Sequence, residues 1–491
     1  VDAGPYAITI AQDLLTPPGS GVSGLVLTNG GSGYIGPPLV VIEGGDGTGA
    51  TAVAEVAPVA GVVPNVRGTC PGVNYSTAPA VTLVGGGGIG AGVGLPSLAA
   101  NAGGGFLKLG SGAVKLTGTN TFAGNIVISN GVFLVGSTNI TGGIELAGTN
   151  IGIGGAFNID QSFLTWLSGK MVGSNPAALA IGANTTNDLD LSAAPWANGA
   201  IVSGGGTESF SGGLTTGSTN LYLGGTAGTL VWARVIGTGT NVFIGRAGGE
   251  SAGVVTLSGT NVGYGSEINV VGGTLRPGLS NGLGGAAARV IVADGAALDL
   301  NGAYAGDGTF FVTGQGPTSN GVIVNTGAAV TPALRTVHLT GDARFGGPNR
   351  WDIRGASVGP LLNLAGFTVT KTSANEVAFF NCEVTDGSLI VGQGLVRLEQ
   401  GTTVTSGLGR IMVGAAGTLD IYNLAGAVTR AITLTNGYLR NGVGANVVGS
   451  PITLAGQTNH FEPYAGTSLA LTGLVDGAGA LRKLNTGALR L

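Results

Sequence analysis

Charge is scarce in this chain. Lysine and arginine number 20 and aspartate and glutamate 24 in 491 residues, for a net charge of −4. No Lys/Arg cluster exists, so the footprint that nucleic acid requires is missing. No run of 18 apolar residues exists, which excludes a membrane-spanning helix. Histidine is limited to His338 and His460, with no second ligand at useful spacing, so no metal site is expected. The two cysteines, Cys70 and Cys382, lie far apart. They could pair within one chain, pair between chains or stay as thiols. The chain begins at Val1 without Met or a charged n-region, and reads as a processed mature chain or a fragment.

Glycine is abundant, with 98 residues, and 43% of the chain is apolar. That apolar share with so little charge argues against disorder. Glycine does not fall at every third position, which excludes collagen. A surface this poor in charge is sticky as a free monomer and favours a partner, a glycan coat or a polymer.

The glycines are placed with a beat. The phrase apolar-x-apolar-x-Gly-Thr-Asn recurs at Leu116–Asn120, Ile144–Asn150 and Leu257–Asn261. Short strands punctuated by Gly/Asn turns, repeated for hundreds of residues, indicate a stacked β architecture. The strands alternate, as in Val254–Leu257, Val290–Val292, Ala297–Leu300 and Ala431–Leu434. Alternation with one face inward fits a β-helix wall. Asn130-Gly131, Asp294-Gly295 and Asn436-Gly437 supply the turns. The expected fold is all-β: a parallel β-helix (solenoid) over 101–491, preceded by a small β-rich domain over 1–100. At roughly 22 residues per coil the solenoid holds about 17 coils, a rod of about 80 Å. Only Asp160–Met171 departs, as a brief helix or a hydrophobic insertion.

Residues 1–100 carry a near-duplication at an offset of 41. Tyr34 falls on Tyr75, Pro38 on Pro79, Val40 on Val81 and Ile42 on Leu83. Ahead of it, Tyr6, Ile8 and Ile10 alternate on a short strand.

Gly112-Ala-Val-Lys-Leu-Thr-Gly-Thr-Asn-Thr-Phe-Ala-Gly124, followed by Ile128–Gly136, resembles the autotransporter-associated β-strand repeat. Val114, Leu116, Gly118, Asn120, Thr121, Phe122 and Gly124 fill that family's phrase. Gly272–Arg276, Gly295–Gly302 and Leu361–Lys371 share its idiom. The resemblance implies a large bacterial extracellular protein, often an adhesin or a passenger stalk. One departure is that no run of amphipathic membrane strands follows at the C-terminal side.

Several local patterns suggest chemistry. Gly85-x-Gly87-x-x-Gly90 matches a dinucleotide fingerprint, but no acid lies about 20 residues on and no βαβ unit follows. No cofactor is expected. Gly44-Gly-Asp-Gly resembles a calcium turn but occurs once. Asp188 and Asp190 would point to one face of a strand, as paired carboxylates do in polysaccharide-cleaving enzymes. With no basic or aromatic subsite nearby, a solvated strand edge is the plainer reading, and no enzyme is expected. Arg350, Asp352 and Arg354 alternate around Trp351 and Ile353, an outward salt ladder over an apolar core. A carbohydrate subsite at Trp351 is the alternative. Asn74, Asn139 and Asn184 lie in Asn-x-Ser/Thr sequons.

Leu481–Leu491 repeats the phrase at Leu107–Leu116 without the Gly-Thr-Asn turn. Leu484, Leu489 and Leu491 then mark an open solenoid edge, because an uncapped coil exposes backbone and core. Tyr6, Ile8 and Ile10 are the candidate strand for self-assembly onto that edge. The expected function is structural: a subunit of a surface filament assembled head-to-tail, at the bacterial cell surface or beyond it. The alternatives are a fragment of a larger adhesin stalk and, last, a polysaccharide-cleaving enzyme. The expected partners are further copies of the chain, together with cell-surface or matrix glycans.

Overall fold

The computed structural model describes the chain except residues 58, 102, 174, 194–195, 197–199, 227, 246–252, 356–358 and 406. The protein is nearly all-β, with one helix, and residues 106–490 form a parallel β-solenoid of about 17 turns. A sheet of 33 strands runs over more than one wall of the coil. Over its first rungs the register is continuous, and bulges interrupt it further on, as between Val312 and Gly314 and between Val391 and Gln393. Ile8 stands over Val114, then Phe133, Ile153, Leu179 and Ile201 follow in one inward column. All of these but Ile8 are buried.

The alternation seen in the sequence explains this sheet. In strand Val254–Leu257, Val255 and Leu257 are buried while Val254 and Thr256 are half-exposed. A one-residue slip would turn the apolar set outward, so burial fixes the register. The turns need left-handed backbone, and Gly131, Gly295 and Asn436 adopt it (φ 74°, 79° and 55°). The departing segment is a helix, α1, Gln161–Lys170. Asp160 caps it by accepting the N–H of Phe163 at 2.8 Å. Phe163, Leu164 and Leu167 plug its inner side into the solenoid core.

A small β-rich region precedes the solenoid, and the strand ahead of it joins the ladder. Strand Ala7–Ile10 pairs in parallel with Ala113–Leu116 of its own chain. Asp2 bridges to Leu109, and Leu14 N–H and Thr16 Oγ1 bond to the side chain of Asn120 and the carbonyl of Thr121. Residues 1–16 are therefore the first rung of the solenoid, and the small β region is inserted between the first and second rungs. That insertion is one long bent hairpin. Ser20–Gly24 pairs antiparallel with Ser97–Ala100, Leu27–Ser32 with Ile89–Val93, Leu39–Glu43 with Ala80–Val84, and Thr48–Ala57 with Val62–Val73.

The 41-residue duplication gives this arm a reciprocal lock. The ring of Tyr34 covers Gly86 and Gly88, where a Cβ would approach it to 2.9 and 2.5 Å. The ring of Tyr75 covers Gly45, where a Cβ would approach to 2.8 Å, and Gly47. Each copy thus supplies a tyrosine to the glycine turn of the other. The turn that carries the dinucleotide-like glycines makes room for Tyr34 at the intervening Gly86 and Gly88, and it opens onto a strand, Ile89–Val93, not a helix.

Candidate functional site

The two ends of the ladder are the first candidate. Strand Ala7–Ile10 is an edge strand, paired on one side only. Ile8 and Ile10 pack partly over the core, while Tyr6 is 74% exposed. These three residues do lie at a solenoid end, but it is the first rung of their own chain. At the far end, strands Val475–Asp476, Ala480–Lys483 and Ala488–Arg490 each pair only with the preceding rung. Val475, Leu481 and Leu489 are half-covered there, Leu484 is half-buried and Leu491 is 82% exposed. The edges also differ in charge. Residues 1–17 carry Asp2 and Asp13 and no base, whereas 475–491 carry Arg482, Lys483 and Arg490 against Asp476.

Lys483 belongs to a recurring device that sequence reading missed. Lys108, Lys371 and Lys483 each close a strand at a position in register with inward residues, and each ammonium donates to the carbonyl two residues on, in Gly110, Ser373 and Asn485 respectively. Lys108 and Lys371 are buried and Lys483 is exposed. Burial lowers both buried lysines to about 8, with nearby Asp2 acting weakly against it at Lys108. Each therefore costs on the order of 3 kcal/mol while charged. In the folded chain they release their protons near pH 8, but in the unfolded chain only near 10.5. Between those values the unfolded state binds more protons, so stability rises with pH. Above pH 9 the buried Cys382 thiol, held protonated by desolvation, opposes the trend. Urea unfolding should show the midpoint climbing from pH 7.5 to 9, and Lys371→Met should remove about half of that slope.

A ladder of charge runs along one outward face. Trp351 and Ile353 point into the core with no exposed surface, so Trp351 offers no ring to a sugar. Arg350 grips Asp352 with both fork nitrogens at 2.9 and 3.0 Å. Arg350 and Arg397 share Glu376, Arg397 meets Asp420, and Arg440 meets Glu462, all at 2.9–3.1 Å. The guanidinium groups of Arg354 and Arg397 also lie over Phe380 and Tyr422, at 3.7 and 4.5 Å from the ring centroids. Bases and acids alternate between rungs and cover the aromatic faces. The arrangement holds register and leaves no open aromatic platform.

Asp188 and Asp190 do share one side of strand Leu189–Leu191, whose Leu189 and Leu191 are buried. They line a shallow groove of about 440 Å³ with Gln161, Thr215 and Arg234. Arg234 is the basic neighbour that the sequence concealed, 44 residues on. Hydrogen bonds from Ser192 hold Asp190 below the usual carboxylate range. A general acid needs the opposite shift.

The remaining candidates are dispersed. Cys70 is exposed on the arm, Cys382 is buried in the solenoid, and both are free. His338 stacks on Phe311 and His460 on Tyr438, in separate rungs. Among the described residues no three His, Cys, Asp or Glu side chains converge to hold a metal. Asn74, Asn139 and Asn184 are all exposed. Among the described residues no helix is long and apolar enough to cross a membrane. No family model, curated protein or solved structure matches the chain.

Proposed function

We propose that this protein is an extracellular structural stalk of a bacterial surface, whose copies stack head-to-tail into a filament. The observation that carries the reading is the match between the two ends of the ladder. Leu481–Leu491 repeats the phrase of 106–116, the segment on which the first rung lies. Aligning the phrases puts Leu489 in the place of Val114 and Leu491 in that of Leu116. A second copy's first rung laid on that edge would continue both columns with Ile8 and Ile10. The acidic first rung and basic last rung favour the same arrangement. A contact of this kind does not close on itself, so it propagates.

The stalk role is supported by the fold, because stacked rungs with a continuous core resist bending. The placement outside the cell is supported by the resemblance of the repeat phrase and by the low charge. Surface glycans remain the proposed attachment partners, through the Thr- and Asn-rich outer faces.

Negative-stain microscopy at rising protein concentration tests the joint. The intact chain should form long uniform fibres that shorten with added salt. A Lys483→Glu/Arg490→Glu variant should give short rods. Short rods from both samples at every concentration would sink head-to-tail stacking and leave a stalk without self-assembly.

A further inference from the structure

The solenoid is not straight. Strands Ala113–Leu116, Gly131–Val135, Ile151–Gly155, Ala178–Ile181 and Ala200–Ser203 are consecutive neighbours in the sheet. In a flat wall the first and last would lie about 19 Å apart. Gly205, two residues past the last strand, nevertheless touches the first: a Cβ on it would sit 2.9 Å from that of Ala113 and 3.5 Å from that of Ala7. Lys115 Nζ reaches across three strand spacings to donate to the carbonyl of Gly182 at 3.2 Å. A Cβ on Gly152 would lie 3.0 Å from a methyl of Val132 and 2.8 Å from one of Val202. The outward face of these rungs is therefore folded on itself into a crease.

Both walls explain the fold. On the creased wall the outward columns shrink to Gly152, Gly154, Ala178 and Ala180, so the outer sides of adjacent rungs can close together. On the opposite wall the sheet Phe106–Lys108, Ile126–Ile128, Ile144–Leu146, Met171–Val172 stops, and Leu189–Leu191 starts a new one. Helix α1 stands in that gap with Phe163, Leu164 and Leu167 in the core. It spreads one wall while the small residues let the other close.

We infer that this crease is an elbow, a latched joint that sets the angle between the arm-bearing first rungs and the rest of the solenoid. The latch is Lys115 and Glu208. The Glu208 carboxylate accepts the N–H groups of Gly204 and Gly206 at 3.2 and 3.0 Å; burial raises its pKa, and these two bonds and then the Lys115 charge act against that rise. This holds the Gly204–Gly206 loop down on the crease. What the crease buries is slight: Ala113, Val132, Leu134 and Ala180, a cluster separate from the main core. Opening it exposes those four side chains and breaks the latch, while the ladder of rungs stays paired. The elbow thus presents the hairpin arm at a fixed angle and is the place where the stalk yields first.

Thiol labelling tests this directly. Ala113→Cys, in a Cys70→Ser background, places a small thiol at a position that is 2% exposed. Cys382 is buried and serves as the silent control. The new thiol should label at least tenfold more slowly than Cys70 does in the native protein. Adding Lys115→Met and Glu208→Gln should raise that rate about tenfold and lengthen the particle in X-ray scattering by ~10 Å, two rung spacings. Labelling as fast as Cys70 in the unaltered latch would overturn the crease. Unchanged rate and length in the latch variant would overturn the joint. An elongated scattering profile supports the stalk whichever result appears, so failure of the elbow and failure of the stalk remain distinguishable.

Discussion

Replacing Trp351 by alanine should cost about 3–5 kcal/mol, near the upper end for core truncation. Trp351 is the largest of the fully buried side chains. Its indole N–H donates to the carbonyl of Gly346 at 3.0 Å, and its ring meets Phe345 edge-on with centroids 5.2 Å apart. The strand Trp351–Ile353 is clamped between Val330–Leu334 and Glu376–Phe380. Ladder hydrogen bonds on both sides fix the rung spacing, so the walls cannot collapse into the cavity. Trp351→Phe keeps most of the volume and should cost about half as much. Each rung contacts only its neighbours, so the damage should be local. Hydrogen exchange should accelerate across residues 330–399 and stay unchanged across 106–155. Equal acceleration along the whole chain would contradict the one-dimensional stack.

Arg430→Met should cost on the order of 3 kcal/mol, although methionine keeps most of the side-chain volume. Arg430 is only 1% exposed. Among the described residues no carboxylate bonds to it. Its guanidinium donates instead to the carbonyls of Gly387, Thr385 and Thr405 at 3.0, 2.7 and 3.0 Å. Those acceptors lie on two preceding turns of the chain, so one side chain ties three turns together from within. Burial lowers its pKa, and Asp386 is the one charge that acts to raise it. Removing the fork strands buried carbonyls that have no water to turn to, which is the larger part of the cost. The measurement is amide exchange over 383–435 beside the urea midpoint. A neutral Arg430→Met would show that the carbonyls find other partners.

The sequence by itself determined the rungs. Alternation in stretches such as Val254–Leu257 records which side of each strand faces the core, and Asn/Gly pairs record where the backbone must turn left-handed. Both signals are local. The inward set of Trp351 and Ile353 and the outward set of Arg350, Asp352 and Arg354 were legible for the same reason. The near-continuous apolar runs Gly131–Val135 and Ile151–Gly155 also carried a trace of the elbow, since a strand buried on both faces loses its alternation.

The tertiary structure alone decided what packs on what across long separations. Ile8 and Ile10 read as a free strand, because nothing local says that an edge 106 residues away will take them. Arg234 joins Asp188 through stacking, which the spacing between them hides. Lys108, Lys371 and Arg430 look like surface residues in sequence. Their burial depends on carbonyl groups that every turn exposes and that no residue type reveals. The bend requires glycine and alanine on one wall and a helix on the other, and those two requirements meet only once the chain has coiled.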